Sequence, residues 1–256
     1  LLTTNKKLII ETTPGAHDFQ FYYNDEYFEI YADSLVTLPQ FTNTYEVRFE
    51  SSEYPIMVDK PVIYLYPEKD EQFSVQLNVK GDFTFTYPKY DGKWSGNVSP
   101  NGDLTLDGSI YNYLFWESNQ TIKSTDFNPK KGFIVEGKNS LEFLENQLTK
   151  FGFNSKEKAD FITFWGPQLK GNDFNYVHLV LNEDANLFAE LEITPTPNHI
   201  YRFYILTSKV ENPNDYQNLE PQIIEKMNRS GFTVLEWGGS TINLNTDRFN
   251  FSQLNN

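Results

Sequence analysis

Residues 60–67 read Lys-Pro-Val-Ile-Tyr-Leu-Tyr-Pro. β-Branched Val62 and Ile63 lie at the centre, Pro61 stands at the start and Pro67 at the end. β-Branched and aromatic side chains suit a pleated surface and proline cannot continue a ladder, so the run predicts one strand bounded by its prolines. Ile63 and Leu65 alternate with Val62, Tyr64 and Tyr66, and both sets are apolar. A strand with two apolar faces is a central strand covered on both sides.

Working outward, the block from 60 to 137 reads as strands joined by tight turns. FSVQLNV (73–79) alternates, Lys80-Gly81-Asp82 turns it back, and FTFTY (83–87) follows. Asp91-Gly92, Asn101-Gly102 and Asp107-Gly108 are hairpin dipeptides, because Gly, Asn and Asp tolerate positive φ. YNYLFWE (111–117) and GFIVEG (132–137) complete the block. Upstream, residues 1–55 predict a β-rich extension or small domain. It holds KKLII (6–10), a hairpin around Asn24-Asp25 and the half-buried strand YEVRFE (45–50). Residues 56–256 are expected to form the main domain.

Three helices are expected downstream. The first starts at Asn139 or Ser140, carries Leu141, Leu144, Leu148 and Phe151 on one face, and stops at Gly152. The second starts at Asn154 or Ser155 with Phe161, Ile162 and Trp165 inward, and ends at Pro167. Together they predict an αα-hairpin near 139–166. A third is expected near 220–230, opening at Pro221, with Ile223, Ile224 and Met227, and closing at Gly231. YVHLVL (176–181), LFAELEI (187–193), YRFYILT (201–207) and FTVLEWGG (232–239) read as strands. The class is therefore α+β, mainly antiparallel.

The chain of 256 residues is 39% hydrophobic and 16% aromatic, which supplies a sizeable core. The formal net charge of −14, without a Lys/Arg cluster, argues against nucleic acid and anionic lipid as partners. The absence of cysteine excludes disulfides, thiolate nucleophiles and Cys-ligated zinc. No apolar run reaches the roughly 20 residues of a membrane helix. Residue 1 is Leu, so the numbering starts after something was removed. A cleaved export signal and a trimmed chain are the alternatives, and the first leaves room for a lipid anchor upstream.

The motifs with chemical potential are few. Glu117 follows Trp116 and Glu236 precedes Trp237, and two carboxylates beside large rings are what a glycosidase needs. The plainer reading makes both tryptophans core and both glutamates solvated strand ends. Trp94, Trp116, Trp165 and Trp237, with Tyr113 and the other tyrosines, form a binding surface if exposed together. Core packing is the plainer alternative for each ring. His17, His178 and His199 lack metal-ligand spacing and read as structural. The acidic loops 182–184 and 212–215 do not match a calcium loop, so no metal and no cofactor is expected. Nucleotide loops and serine-nucleophile motifs are absent from the sequence.

KPVIYLYP, the Tyr87–Trp94 stretch YP-x-Y-x-G-x-W, YNYLFWE, GF-x-VEG, ITPTP (193–197) and FTVLEWGG resemble the islands of a family of exported bacterial proteins with no established activity. The resemblance spans about residues 60 to 240. It implies a single α+β module on secreted or lipid-anchored chains, located extracellularly or on the bacterial envelope, and it implies no reaction. The leading expectation is a non-catalytic surface module that binds a glycan or a protein partner. The alternatives are a polysaccharide hydrolase using Glu117 and Glu236, and a subunit of a larger surface assembly contacted through residues 1–55.

Overall fold

In the computed structural model, KPVIYLYP is the second half of a longer strand, Glu53–Tyr66. Pro61 lies inside the strand rather than at its start. It is tolerated because the register shifts between Val58 and Val62, where Lys60 adopts φ 48°. Such a bulge leaves residues without a ladder partner, so the missing proline N–H costs no bond there.

The structure describes residues 10–21, 30–40, 42, 53–123 and 126–242. The chain divides into the units Leu1–Ser52 and Glu53–Asn256. The boundary precedes the expected 55/56 because Glu53, Tyr54 and Pro55 already pair with Lys123, Ile122 and Thr121. The first unit shows an antiparallel pair, β1 (Gly15–Phe21) and β2 (Ile30–Thr37), with Thr37 Oγ1 donating to Thr13 O at 2.8 Å. Lys6–Ile9, the Asn24-Asp25 turn and YEVRFE lie outside the described residues.

In the second unit the long strand is β3. It is followed by β4 (Glu71–Val79), β5 (Asp82–Tyr87), β6 (Trp94–Val98), β7 (Leu104–Leu106), β8 (Ser109–Tyr111), β9 (Leu114–Lys123) and β10 (Phe133–Glu136). Helices α1 (Ser140–Phe151) and α2 (Ser155–Lys170) come next. The strands β11 (Phe174–Leu181), β12 (Ala189–Thr194), β13 (His199–Val210) and β14 (Thr233–Thr241) complete the order. Short 3-10 turns occupy Gly137–Asn139, Asn182–Leu187 and Pro213–Tyr216. The class is α+β as read. One sheet has the order β10-β11-β13-β14-β3-β9-β5, antiparallel except for β13–β14, and a second has the order β12-β4-β6-β7-β8. Among the described residues no helix is long and apolar enough to cross a membrane.

The two faces of β3 explain the layers. Ile63 and Leu65 enter a core with Trp116 of β9, with Phe188, and with Trp94 and other residues of the second sheet. Val62 and Tyr64 enter the other core with Leu144, Leu148, Phe161 and Trp165 of the helices. The helices thus cover one face of the seven-stranded sheet and the five-stranded sheet covers the other. Full burial of Val62, Ile63, Tyr64 and Leu65 is the central position expected.

The αα-hairpin forms where read, with local differences. Gly152 takes φ 107° and donates to Leu148 O, closing α1. The capping box is at Asn154 and Glu157, which exchange bonds of 2.9 and 2.8 Å; the Asn139 side chain instead donates to Glu136. Leu141 points outward, and α2 runs through Pro167 to Lys170.

The third expected helix is absent: residues 221–230 have no regular structure. Their polar groups are held by other elements. Gln222 bonds both N and O of Leu179 at 2.7 Å, Met227 N donates to Phe151 O, and Asn228 N donates to Tyr201 Oη. Gln222 serves β11 where its ladder to β10 has ended, since that pairing stops at Val177. Of the apolar trio, Met227 is buried and Ile223 is 88% exposed, which is not a helical stripe.

Candidate functional site

Burial on the helix-bearing face of the seven-stranded sheet fades toward one edge. Trp237 of β14 and Tyr64 of β3 are buried under α2, Tyr113, just before β9, and Phe115 of β9 are half-buried, and on β5 Phe85 and Tyr87 are 55% and 56% exposed. Register puts these side chains together: Phe85 lies opposite Glu117, and Tyr87 opposite Phe115. Met57 of β3, opposite Asn119, is 48% exposed on the same face. The rings meet edge to face, Phe85 with Phe115 at 5.8 Å and Tyr87 with Tyr111 at 5.4 Å. This uncovered aromatic apron is the strongest candidate surface.

A bulge builds it. FTFTY alternates as if Phe83, Phe85 and Tyr87 shared a face, but the register shifts between Phe83 and Phe85. Phe83 consequently turns between the sheets against Trp116 and Tyr90. Phe85 and Tyr87 are left on the opposite, open side. No residue type betrays the shift, so the sequence pattern alone missed both rings.

The inner border of the apron is polar. Lys156, Asp160 and Phe164 form a stripe along α2 at helical spacing. Asp160 accepts from Tyr64 Oη at 2.8 Å, Lys156 Nζ lies over the Tyr64 ring, and Lys60 Nζ lies 5.1 Å from the Phe164 ring centre. Tyr113 meets Tyr64 edge to face at 5.6 Å. Burial and the neighbouring Asp160 carboxylate raise the Tyr64 phenol far above its usual range, so it stays a donor. Asp59, Glu117 and Asp82 stand among the rings, and among the described residues none has an ion-pair partner.

Burial, and second the Glu117 charge, push Asp59 up to about 6 from 3.8. The folded state therefore holds the Asp59 proton more tightly than the unfolded chain does. Stability from this group is fully present below about 4 and is lost as pH rises through about 6. Asp59→Asn is expected to remove that loss, flattening this part of the profile of melting temperature against pH. An unchanged profile would assign the slope to other carboxyls.

The structure separates the expected catalytic pair. Glu236 is fully buried between the sheets, where its carboxylate accepts from Arg202 Nε and, at 3.1 Å, from Trp116 Nε1. Arg202 Nη1 also donates to Asn186 Oδ1 and Ala189 O. Glu117 follows Trp116 on β9, so it projects from the other side of the sheet. The two carboxylates share no cleft, and the solvated strand end expected for Glu236 is also wrong. It is a buried ion pair that satisfies the indole of Trp116.

The expected tryptophan surface is absent too. Trp94, Trp116, Trp165 and Trp237 are all buried. Trp94 donates to Pro88 O at 2.8 Å, and Trp237 packs at 5.0 Å on Phe161. Of the binding residues expected, Tyr113 alone reaches the candidate surface. His178 is buried, bonds Lys131 O at 2.8 Å and is held below its usual pKa by burial, the structural role read for it. Among the described residues no group of three or more His, Cys, Asp or Glu could hold a metal. A shallow depression on the five-stranded sheet, lined by Asp70, Glu71, Asn97, Asp103 and Ile110, lacks converging rings. Comparison with protein-family models, curated proteins and solved structures finds no match.

Proposed function

We propose that this chain is a non-catalytic binding module of an exported bacterial protein, and that it holds a protein partner on the β3–β9–β5 apron. The observation that carries this reading is the exposure of Phe85 and Tyr87 beside half-buried Phe115 and Tyr113. A monomer gains stability by covering such a surface, and contiguous exposed aromatic area is typical of contact faces. The ring geometry favours a protein over a glycan. Phe85 and Phe115 lie at 69° and Tyr87 and Tyr111 at 77°, so neither pair forms a flat platform for successive sugar faces. The burial of Glu236 weighs against the hydrolase reading. An exported location is supported by the sequence islands between residues 60 and 240.

The test compares the native chain with a Phe85→Ser/Tyr87→Ser double variant on arrays of immobilised peptides and oligosaccharides. Both rings are more than half exposed, so the variant keeps its fold and melting temperature. Peptide ligands are expected to bind the native chain and to lose about tenfold or more in the variant, as truncation of a central contact does. Equal binding by the two proteins, or capture of oligosaccharides alone, would overturn the reading.

A further inference from the structure

Resting on that reading, we propose that the occupant of the apron is an extended, cationic segment of a protein partner. It adds a strand to the edge of β5 and sets lysine or arginine side chains against Asp82 and Glu117. Three observations converge on this occupant.

The first is the edge itself. Among the described residues β5 pairs with β9 alone and ends the seven-stranded sheet. An edge strand presents unpaired N–H and C=O groups, and folds usually blunt such edges with lysine or proline. Between Asp82 and Tyr87 the chain has neither; the bulge at Phe83/Phe85 and Pro88 bound the exposed edge, and the side chains read Asp-Phe-Thr-Phe-Thr-Tyr. Such an edge can accept a further strand through main-chain bonds, with alternate side chains supplying selectivity.

The second is position. Asp82 and Phe85 lie opposite Asn119 and Glu117 of β9, so both acids border the apron. An added strand stands one spacing, about 4.8 Å, from β5 and about twice that from β9. A cation on it is a direct cross-strand neighbour of Asp82. Lysine or arginine stretched over Phe85 also meets the Glu117 side chain, covering the ring with its methylenes.

The third is charge. Asp82, Glu117 and Asp59 occupy three successive strands; Lys60, next to Asp59, is turned onto Phe164, and Lys80, two residues before Asp82, pairs with Glu190 at 3.0 Å. The whole chain carries −14. A second copy docked edge to edge would bring like charges together, which disfavours self-pairing. A cationic strand neutralises the same groups.

The test uses the full chain labelled with 15N and a short soluble peptide alternating lysine with threonine and valine. Saturable amide shifts confined to β5 and β9 are expected. The affinity should fall about tenfold or more when the lysines are acetylated, and likewise in an Asp82→Asn/Glu117→Gln variant of unchanged melting temperature. N-methylation of alternate peptide amides, which removes the donors facing β5, should abolish binding. Failure to saturate by about 1 mM, or equal binding of the acetylated peptide, would overturn the proposal. If the charge variants bind normally while Phe85→Ser/Tyr87→Ser does not, the contact face stands and the cationic occupant falls. Shifts on the five-stranded sheet instead would overturn both.

Discussion

Ile63→Asp is expected to abolish native folding. Ile63 is fully buried in the strand between β14 and β9, opposite Glu236 on one side and Leu114 on the other. Its side chain lies in the core between the sheets, where Glu236 already engages Arg202. A second carboxylate there meets the like charge of Glu236 and has only Arg202 to share with it, and a buried charge so poorly compensated costs several kcal/mol beyond the lost isoleucine contacts. That is comparable to the ~5–15 kcal/mol total stability of a domain. Ile63→Val, which removes one methyl, is expected to cost only about 0.5–1.5 kcal/mol. The pair is read by solubility, near-ultraviolet dichroism and melting temperature. A soluble, native-like aspartate variant would show that the core admits water at β3.

The second large effect concerns the buried ion pair. Arg202→Ala strands the Glu236 carboxylate and frees the carbonyl of Ala189, so a loss of about 3–5 kcal/mol is expected. Arg202→Met combined with Glu236→Leu removes both charges at similar volume and should recover part of that loss, since the Trp116 indole and the Ala189 carbonyl stay unpaired. Chemical denaturation of the single and double variants gives the coupling directly. A single variant as stable as the native chain would mean that solvent reaches Glu236. A double variant no better than the single would place the cost in packing and in those two unpaired groups.

The strands were legible where one residue pattern served one face. KPVIYLYP showed two apolar faces, and both are buried. The αα-hairpin was legible from Leu144, Leu148, Phe161 and Trp165 at helical spacing, with Gly152 and Asn154 between the helices. Sheet membership was not legible. Lys80-Gly81-Asp82 and Asp91-Gly92 look like hairpin turns, yet they carry the chain from β4 to β5 and from β5 to β6, between different sheets. By contrast, Asp107-Gly108 does join paired strands, β7 to β8. The difference lies in partners far along the chain, which a dipeptide does not encode.

The same limit governed the candidate site. Glu236 and Trp237 are adjacent in sequence but serve two cores, so proximity to tryptophan did not indicate a cleft. Tyr113 was found because aromatic residues were counted. Phe85 and Tyr87 were missed because a single bulge reverses the face they occupy. Likewise Ile223, Ile224 and Met227 suit a helix locally, while Gln222 and Met227 bond to elements that come much earlier in the chain.

The strand order of the large sheet has a consequence for biosynthesis. β3 is made early, yet one of its two neighbours, β14, is near the end of the described chain, with Ile63 paired to Glu236. The middle of the sheet therefore closes only after nearly all of the second unit has been synthesised, and contacts so distant along the chain make closure slow. Until then β3 and β13 each present a vacant seam. A chain cut short before Thr233 would keep two sticky seams and would be a substrate for proteases or aggregation.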